Sequence, residues 1–326
     1  MNKHNQEKMQ AVADKVIELM ETQGGNWFKP FSSYTVSPKL TAYFTPNLAY
    51  NITSMNNYSG WNTLSLGLNH LIYKSSAYAT FKQINALGGS VKKGEKGTHV
   101  CYYGTGQTKD EDNEKSSYRF LKFYSVFNLE QTNLDPKEIE EEALSKQNKQ
   151  DILNAKKFSL KKIPTIDDIE VFIKNTKAKI EHREAGTCFY SPSLDYINMS
   201  PLDTWKGDKY GSKQDYYYST LFHELTHWTK GEHRANRDSK NPYKNKDYDK
   251  SYAFEELCAE LGSAMLSSTL GLTKVPMENH AQYLKSWMKE LKEHPESLMK
   301  ASSLSQQAVN YIYDLQPKTA ELEKVA

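Results

Sequence analysis

The sequence predicts an α+β protein of two domains, and three observations carry that reading. Its 326 residues are enough for two hydrophobic cores. The first half holds a hairpin-like pair of strand runs among short helices. In the second half, short strand runs lead directly into a helix with a strong apolar face.

The elements follow in order. Met9, Val12, Val16, Leu19 and Met20 recur at helical spacing, which predicts an N-terminal helix ending near Gly24-Gly25. Leu64 to Leu71 reads as helix, and Tyr78 to Leu87 as a second short helix stopped by Gly88-Gly89. Val91-Lys-Lys-Gly-Glu-Lys-Gly97 is a basic turn into a strand, Thr98 to Tyr103, whose hairpin partner is Tyr118 to Phe127. The polar segment between them, Gln107 to Ser117, is expected as a long loop. Residues 131–162 are charged and helix-prone without a strong apolar period, and are expected to link a domain at 1–130 to one at 163–326. Ile166 to Thr176 reads as helix, and Ile180 to Glu184, Cys188 to Ser191 and Tyr196 to Ser200 as short strands. Two helices are expected over Tyr217–Lys230 and Ser251–Leu266, with mostly helix after 275.

Composition narrows the classes. Cys101, Cys188 and Cys258 are odd in number and far apart, which argues for a reducing compartment and against a disulfide scaffold or a thiolate metal site. No apolar run is long enough to span a bilayer and no signal peptide is visible, so no membrane partner and a cytoplasmic location are expected. The net charge of +2 conceals an asymmetry. Residues 51–100 carry Lys74, Lys82, Lys92, Lys93 and Lys96 against the single acid Glu95. Such a concentration matters to an anionic partner more than the chain total does.

The chemistry-bearing motif is His223-Glu224-Leu225-Thr226-His227. On a helix, residues four apart project from one face, so the two imidazoles can hold one Zn2+ ion. Glu224 is displaced by roughly 100°. It can reach a water on the metal without becoming a ligand, as a general base must. Leu221, Leu225 and Trp228 form the neighbouring stripe that buries the helix.

Such a zincin site needs a third ligand. Glu256 and Glu260 share a face of the second helix, so one can bind the metal while the other orients a ligand imidazole. Glu256 is taken as the ligand and Glu260 as the orienting carboxylate; Glu255 points elsewhere, solvated or paired. His233 is the competitor, six residues after His227 as in HExxHxxGxxH, although Lys230 stands where that pattern has glycine.

Several stretches together resemble the ArdC-type antirestriction proteins of plasmids and phages. They are Trp27-Phe-Lys-Pro30, Phe81 to Gly97, Val126 to Gln131, Tyr190 to Met199, His223 to Thr229 and Tyr252 to Gly262, in family order over about 240 residues. The chain departs at Ser59-Gly-Trp-Asn-Thr63, where the family has a Gly-Ile-Asn motif, and at Trp228-Thr-Lys-Gly231, where it has Trp-Thr-Gly.

The resemblance implies an N-terminal domain that binds single-stranded DNA and a C-terminal zincin-like metallopeptidase domain acting on an unknown protein substrate. It also leaves room for a protective DNA-binding protein whose zincin domain is structural, and for a part in a plasmid primase. Binding a single strand needs cations for the backbone and aromatic platforms for the bases. On that basis Tyr58, Trp61 and Tyr78, beside Lys82, Lys92, Lys93 and Lys96, are the expected DNA contacts.

Overall fold

A computed structural model describes residues 3–28, 48–109, 115–146, 165–183, 186–272, 275 and 281–317. The expected linker therefore lies partly outside the described residues, as does the tip of the hairpin.

Helix α1 (Lys3–Gln23) ends at Gly24, whose φ of 55° suits a residue without a Cβ. In the first half, β1 (Tyr50–Asn51), β2 (Ala77–Ala79), β3 (Thr98–Lys109) and β4 (Lys115–Asn128) form one sheet in the order β1-β2-β4-β3. β1 and β2 are parallel, while β4 runs antiparallel to both β2 and β3. Helices α2 (Trp61–Gly67) and α3 (Phe81–Ala86) connect the strands, and α4 (Pro136–Lys146) follows the sheet.

Two expectations are corrected here. The helix foreseen from Tyr78 starts at Phe81, because the Thr80 side chain and Gln83 form a capping box there, and Tyr78 belongs to β2. The foreseen long loop is mostly strand: pairing continues outward to Lys109 opposite Lys115. Backbone hydrogen bonds hold this arm regardless of side-chain polarity, so its polar sequence gave no alternating signal.

The second half begins with α5 (Ile166–Asn175), then β5 (Ile180–Glu181), β6 (Phe189–Ser191) and β7 (Tyr196–Asn198). These strands form a sheet in the order β5-β7-β6, with β5 parallel and β6 antiparallel to β7. Among the described residues four helices complete the half: α6 (Lys213–Trp228), α7 (Tyr248–Thr269), α8 (Ala281–Glu293) and α9 (Glu296–Asp314). The chain is thus an α+β protein of two domains.

One core draws on both halves. Met9, Val16 and Met20 of α1, Trp61 and Leu64 of α2, and Phe123 of β4 share it with Leu257 of α7, Trp287 of α8 and Leu298 of α9. A second core under the C-terminal sheet joins Ile173, Ile197, Phe222 and Leu266.

Candidate metal centre

Helix α6 is entered through a capping box. The Ser212 hydroxyl accepts from the Asp215 N–H at 3.1 Å, and the Asp215 carboxylate accepts from the Ser212 N–H at 2.9 Å. From Tyr217 to Trp228 every residue is buried, between the second sheet and α7.

Close approach of α6 and α7 depends on small residues. A Cβ at Gly262 would come within 2.6 Å of the Thr226 side chain, so only glycine lets the helices cross this tightly. Next to it, the Ser263 hydroxyl donates to the Ser219 carbonyl at 2.7 Å. Beyond the end of α6, Arg234 lies over the Trp228 ring at 4.0 Å and donates to the Trp228 carbonyl at 3.0 Å. It also donates to the Asp195 carboxylate at 2.7 and 2.6 Å, which ties the end of α6 to the turn between β6 and β7.

This crossing brings three groups together. His223 Nε2 and His227 Nε2 lie 3.0 Å apart, and the two Glu256 oxygens lie 3.4 and 3.3 Å from them. Among the described residues these three form a set whose ligand atoms all lie within 4.8 Å of one another, and His233 is outside it. The outer nitrogens face further carboxylates: His223 Nδ1 is 3.4 Å from Glu260, and His227 Nδ1 is 3.1 Å from Glu255.

Of the two outcomes expected for Glu255, pairing holds, and it also faces the site through His227. It is buried, and besides His227 it is held by the Arg237 guanidinium at 2.9 and 3.2 Å. Arg237, fully buried, also donates to the Thr229 hydroxyl at 2.9 Å and to the Thr226 carbonyl. Counting one helix face could not show this, because the loop carrying Arg237 folds back under α6.

Four carboxylates, Glu224, Glu255, Glu256 and Glu260, are buried around two imidazoles, and Arg237 offsets Glu255. Buried charge of one sign needs a counter-ion. A divalent cation held by His223, His227 and Glu256 fits both the donor set and this charge. The same carboxylates act on the imidazoles. Burial opposes a charged His223, but Glu256 and Glu260 outweigh it and raise its pKa far above the usual histidine range. Burial likewise opposes a charged His227, and Glu256 and Glu255 prevail. Burial alone would raise Glu256; the two imidazoles hold it far below the usual carboxylate range instead.

Tyr252, one turn before Glu256 on α7, was not foreseen. Burial, Tyr283 and Glu256 together push its hydroxyl well above the usual tyrosine range, so it keeps its proton. Its i, i+4 spacing from Glu256 was the available signal.

The expected DNA contacts divide. Lys82, Lys92, Lys93 and Lys96 are exposed, the last three on the turn before β3, where the Lys92 ammonium donates to the Glu130 carbonyl at 2.9 Å. The aromatic platform is corrected: Tyr58, Trp61 and Tyr78 are only 9%, 4% and 0% exposed. Trp61 sits in the shared core, and Tyr58 meets Tyr78 edge to face at 6.5 Å beneath the sheet. Burial pushes the Tyr78 hydroxyl up to about 12. These rings are structural, since a buried face cannot stack on a base.

Both halves of the chain match known families. Residues 6–127 match the N-terminal domain of anti-restriction factor ArdC, and residues 167–304 match a zincin-like metallopeptidase family. The crystal structure of the metal-free antirestriction ArdC protein from the R388 plasmid is 30% identical, with a TM-score of 0.70 over 94% of this chain and 97% of that one. Its Mn(II)-bound form gives 29% identity and a TM-score of 0.68. Two DNA primases TraC of Escherichia coli are each 28% identical, over 94% and 96% of this chain. The chain spans only 27% and 20% of their lengths. An uncharacterized protein, y4eC, of Sinorhizobium fredii is 28% identical over 81% of this chain and 80% of its own.

Proposed function

The chain belongs to the ArdC family of antirestriction proteins, and from that premise we propose that it binds single-stranded DNA and hydrolyses a peptide bond at a zinc site. The convergence of His223, His227 and Glu256 beside the buried Glu224 carries this reading. Those three side chains would hold the ion. Zn2+ is assigned from two imidazoles and one carboxylate, the donors of peptidase zinc sites; Mn(II) in the R388 plasmid protein supports a divalent ion there. When bound, the ion supplies Lewis acidity at a peptide carbonyl.

The chain's own groups do the rest. Glu224 takes a proton from the attacking water and passes it to the leaving amine as the C–N bond breaks. Glu260 and Glu255 orient the two imidazoles. Tyr252, one turn before Glu256 on α7, is the hydroxyl proposed to donate to the oxyanion. β6, an outer strand of its sheet packed against α6, offers backbone groups to an extended peptide.

A second reading rests on the TraC primases, in which this whole chain corresponds to a fraction of the length. There the unit is a DNA-binding module whose zincin domain serves as scaffold. Metal analysis of the purified chain, with Glu224→Gln tested for protection of an incoming plasmid in a restricting host, separates the two. The peptidase reading expects one bound zinc, retained in the variant, and loss of hydrolysis and protection. A metal-free protein, or full protection by Glu224→Gln, favours the scaffold.

A further inference from the structure

The β3–β4 arm carries a row of aromatic rings on one face. Cross-strand partners share a face, so Tyr102 opposite Lys122, Gly104 opposite Phe120 and Gly106 opposite Tyr118 lie on the same side. At the base of the arm the other face turns to the protein: Cys101 and Phe123 enter the shared core, and the Tyr103 hydroxyl meets Met299 Sδ at 2.7 Å although its ring is 62% exposed. The first face is left to solvent, with Tyr102 57%, Tyr118 51% and Phe120 36% exposed.

The two glycines determine how the rings lie. A Cβ at Gly104 would fall into the Phe120 ring, and one at Gly106 into the Tyr118 ring. Each ring therefore lies down across the neighbouring strand. Covering a strand glycine in this way stabilises a hairpin, and that alone would explain one ring. Here the row continues: Phe120 is 6.2 Å from Tyr102 and 6.1 Å from Tyr118, centre to centre. Three adjoining rings on a solvent face are a surface that proteins seldom leave without a partner.

Charge selects the partner. Residues 98–107 and 117–128 contain no carboxylate, while Lys122 stands in the row, exposed; Arg119, opposite Thr105, is exposed on the other face. Rings with attendant cations suit unstacked bases on a phosphate backbone. We propose that Tyr102, Phe120 and Tyr118 are the base-stacking platform for single-stranded DNA, with Lys122 meeting the backbone. This rests on the DNA-binding reading above, and moves its aromatic contacts from the buried rings to this arm.

The test uses the full-length chain and a fluorescein-labelled oligothymidylate, with anisotropy measured across a salt series. Replacing Tyr102, Phe120 and Tyr118 each by alanine should weaken binding roughly 5- to 100-fold per ring, with the salt slope unchanged. Tyr118→Trp should bind at least as well as the unaltered chain. Tyr118→Leu, which still covers Gly106 but has no ring face to offer, should lose affinity as alanine does. Zinc content should stay unchanged throughout, confirming that each variant is folded. A triple alanine variant that binds like the unaltered chain, or a leucine variant that does, overturns the platform while the DNA-binding reading stands. An unaltered chain that ignores the oligonucleotide overturns both.

Discussion

His227 Nδ1 faces Glu255 Oε1 at 3.1 Å, while the other nitrogen of the same ring faces Glu256 at 3.3 Å. One imidazole is thus held from both sides by adjacent residues of α7. Arg237 anchors the outer carboxylate, so the ring plane is fixed before any ion arrives. Glu255→Ala should lower metal affinity roughly 10- to 100-fold, measured by competition with a chelator. Glu255→Gln keeps an acceptor oxygen and should lose less. Unchanged affinity in the alanine variant would remove Glu255 from the site.

His223→Ala and Glu256→Ala each leave two of the three converging donors. Both should lose tightly bound metal during dialysis at neutral pH, as atomic absorption would read. Glu224→Gln should retain it, because Glu224 is outside the ligand set. Metal retained in full by His223→Ala would end the zincin reading.

Gly262→Ala places a methyl against Thr226, whose side chain would lie 2.6 Å away. Overpacking of this kind costs roughly 1–3 kcal/mol, and here it also parts the helices that carry the ligands. A lower melting temperature and weaker metal binding should appear together. Adding Thr226→Ala should recover part of both, since the two sites share one contact. Independent, additive losses would mean that the crossing does not set the metal geometry.

Legibility followed the range of the interaction. The two site helices were readable because caps and apolar period are local, and Glu256 and Glu260 fall on one face by period alone. Glu255 and Arg237 were not, because their contact exists only once the loop after α6 folds back. The aromatics of the first half failed for another reason: composition reports that a ring is present, and burial decides which partner it meets. Trp61 and Tyr78 went to the core, whereas Tyr118 and Phe120 stayed outside. The Tyr-Gly-Thr-Gly alternation of β3 opposite Tyr-Arg-Phe of β4 was the available signal, but reading it requires the register.

Glu140 on α4 is buried and accepts from the Tyr50 hydroxyl at 2.9 Å. Burial raises its pKa above the usual 4.5, and hydrogen bonds from Tyr50 and Ser75 offset only part of this. The folded chain therefore holds this proton more tightly than the unfolded chain. Its contribution to stability is full below pH 4.5 and declines as pH rises through the folded-state value. Glu140→Gln keeps an acceptor for Tyr50 without the buried charge. It should melt higher than the unaltered chain at neutral pH, with the difference shrinking towards pH 4.5. Equal melting temperatures across that window would show that the carboxylate is solvated.

Lys92, Lys93 and Lys96 stand on one exposed turn before β3, apart from the residues that fold the arm. Their expected part is with the phosphates, and phosphate contacts are read from salt dependence. Each contact to a single strand contributes roughly −0.7 to the slope of log affinity against log salt. Two to four contacts give a slope of roughly −1.5 to −3 for the unaltered chain. Replacing the three lysines together by alanine should bring the slope towards zero by up to roughly 2. Ring substitutions on the arm should instead leave the slope in place and lower the affinity at every salt concentration. Because the two kinds of variant act on different quantities, one titration series assigns each group its part. A lysine variant with an unchanged slope would place the backbone contacts elsewhere, on Lys122 first.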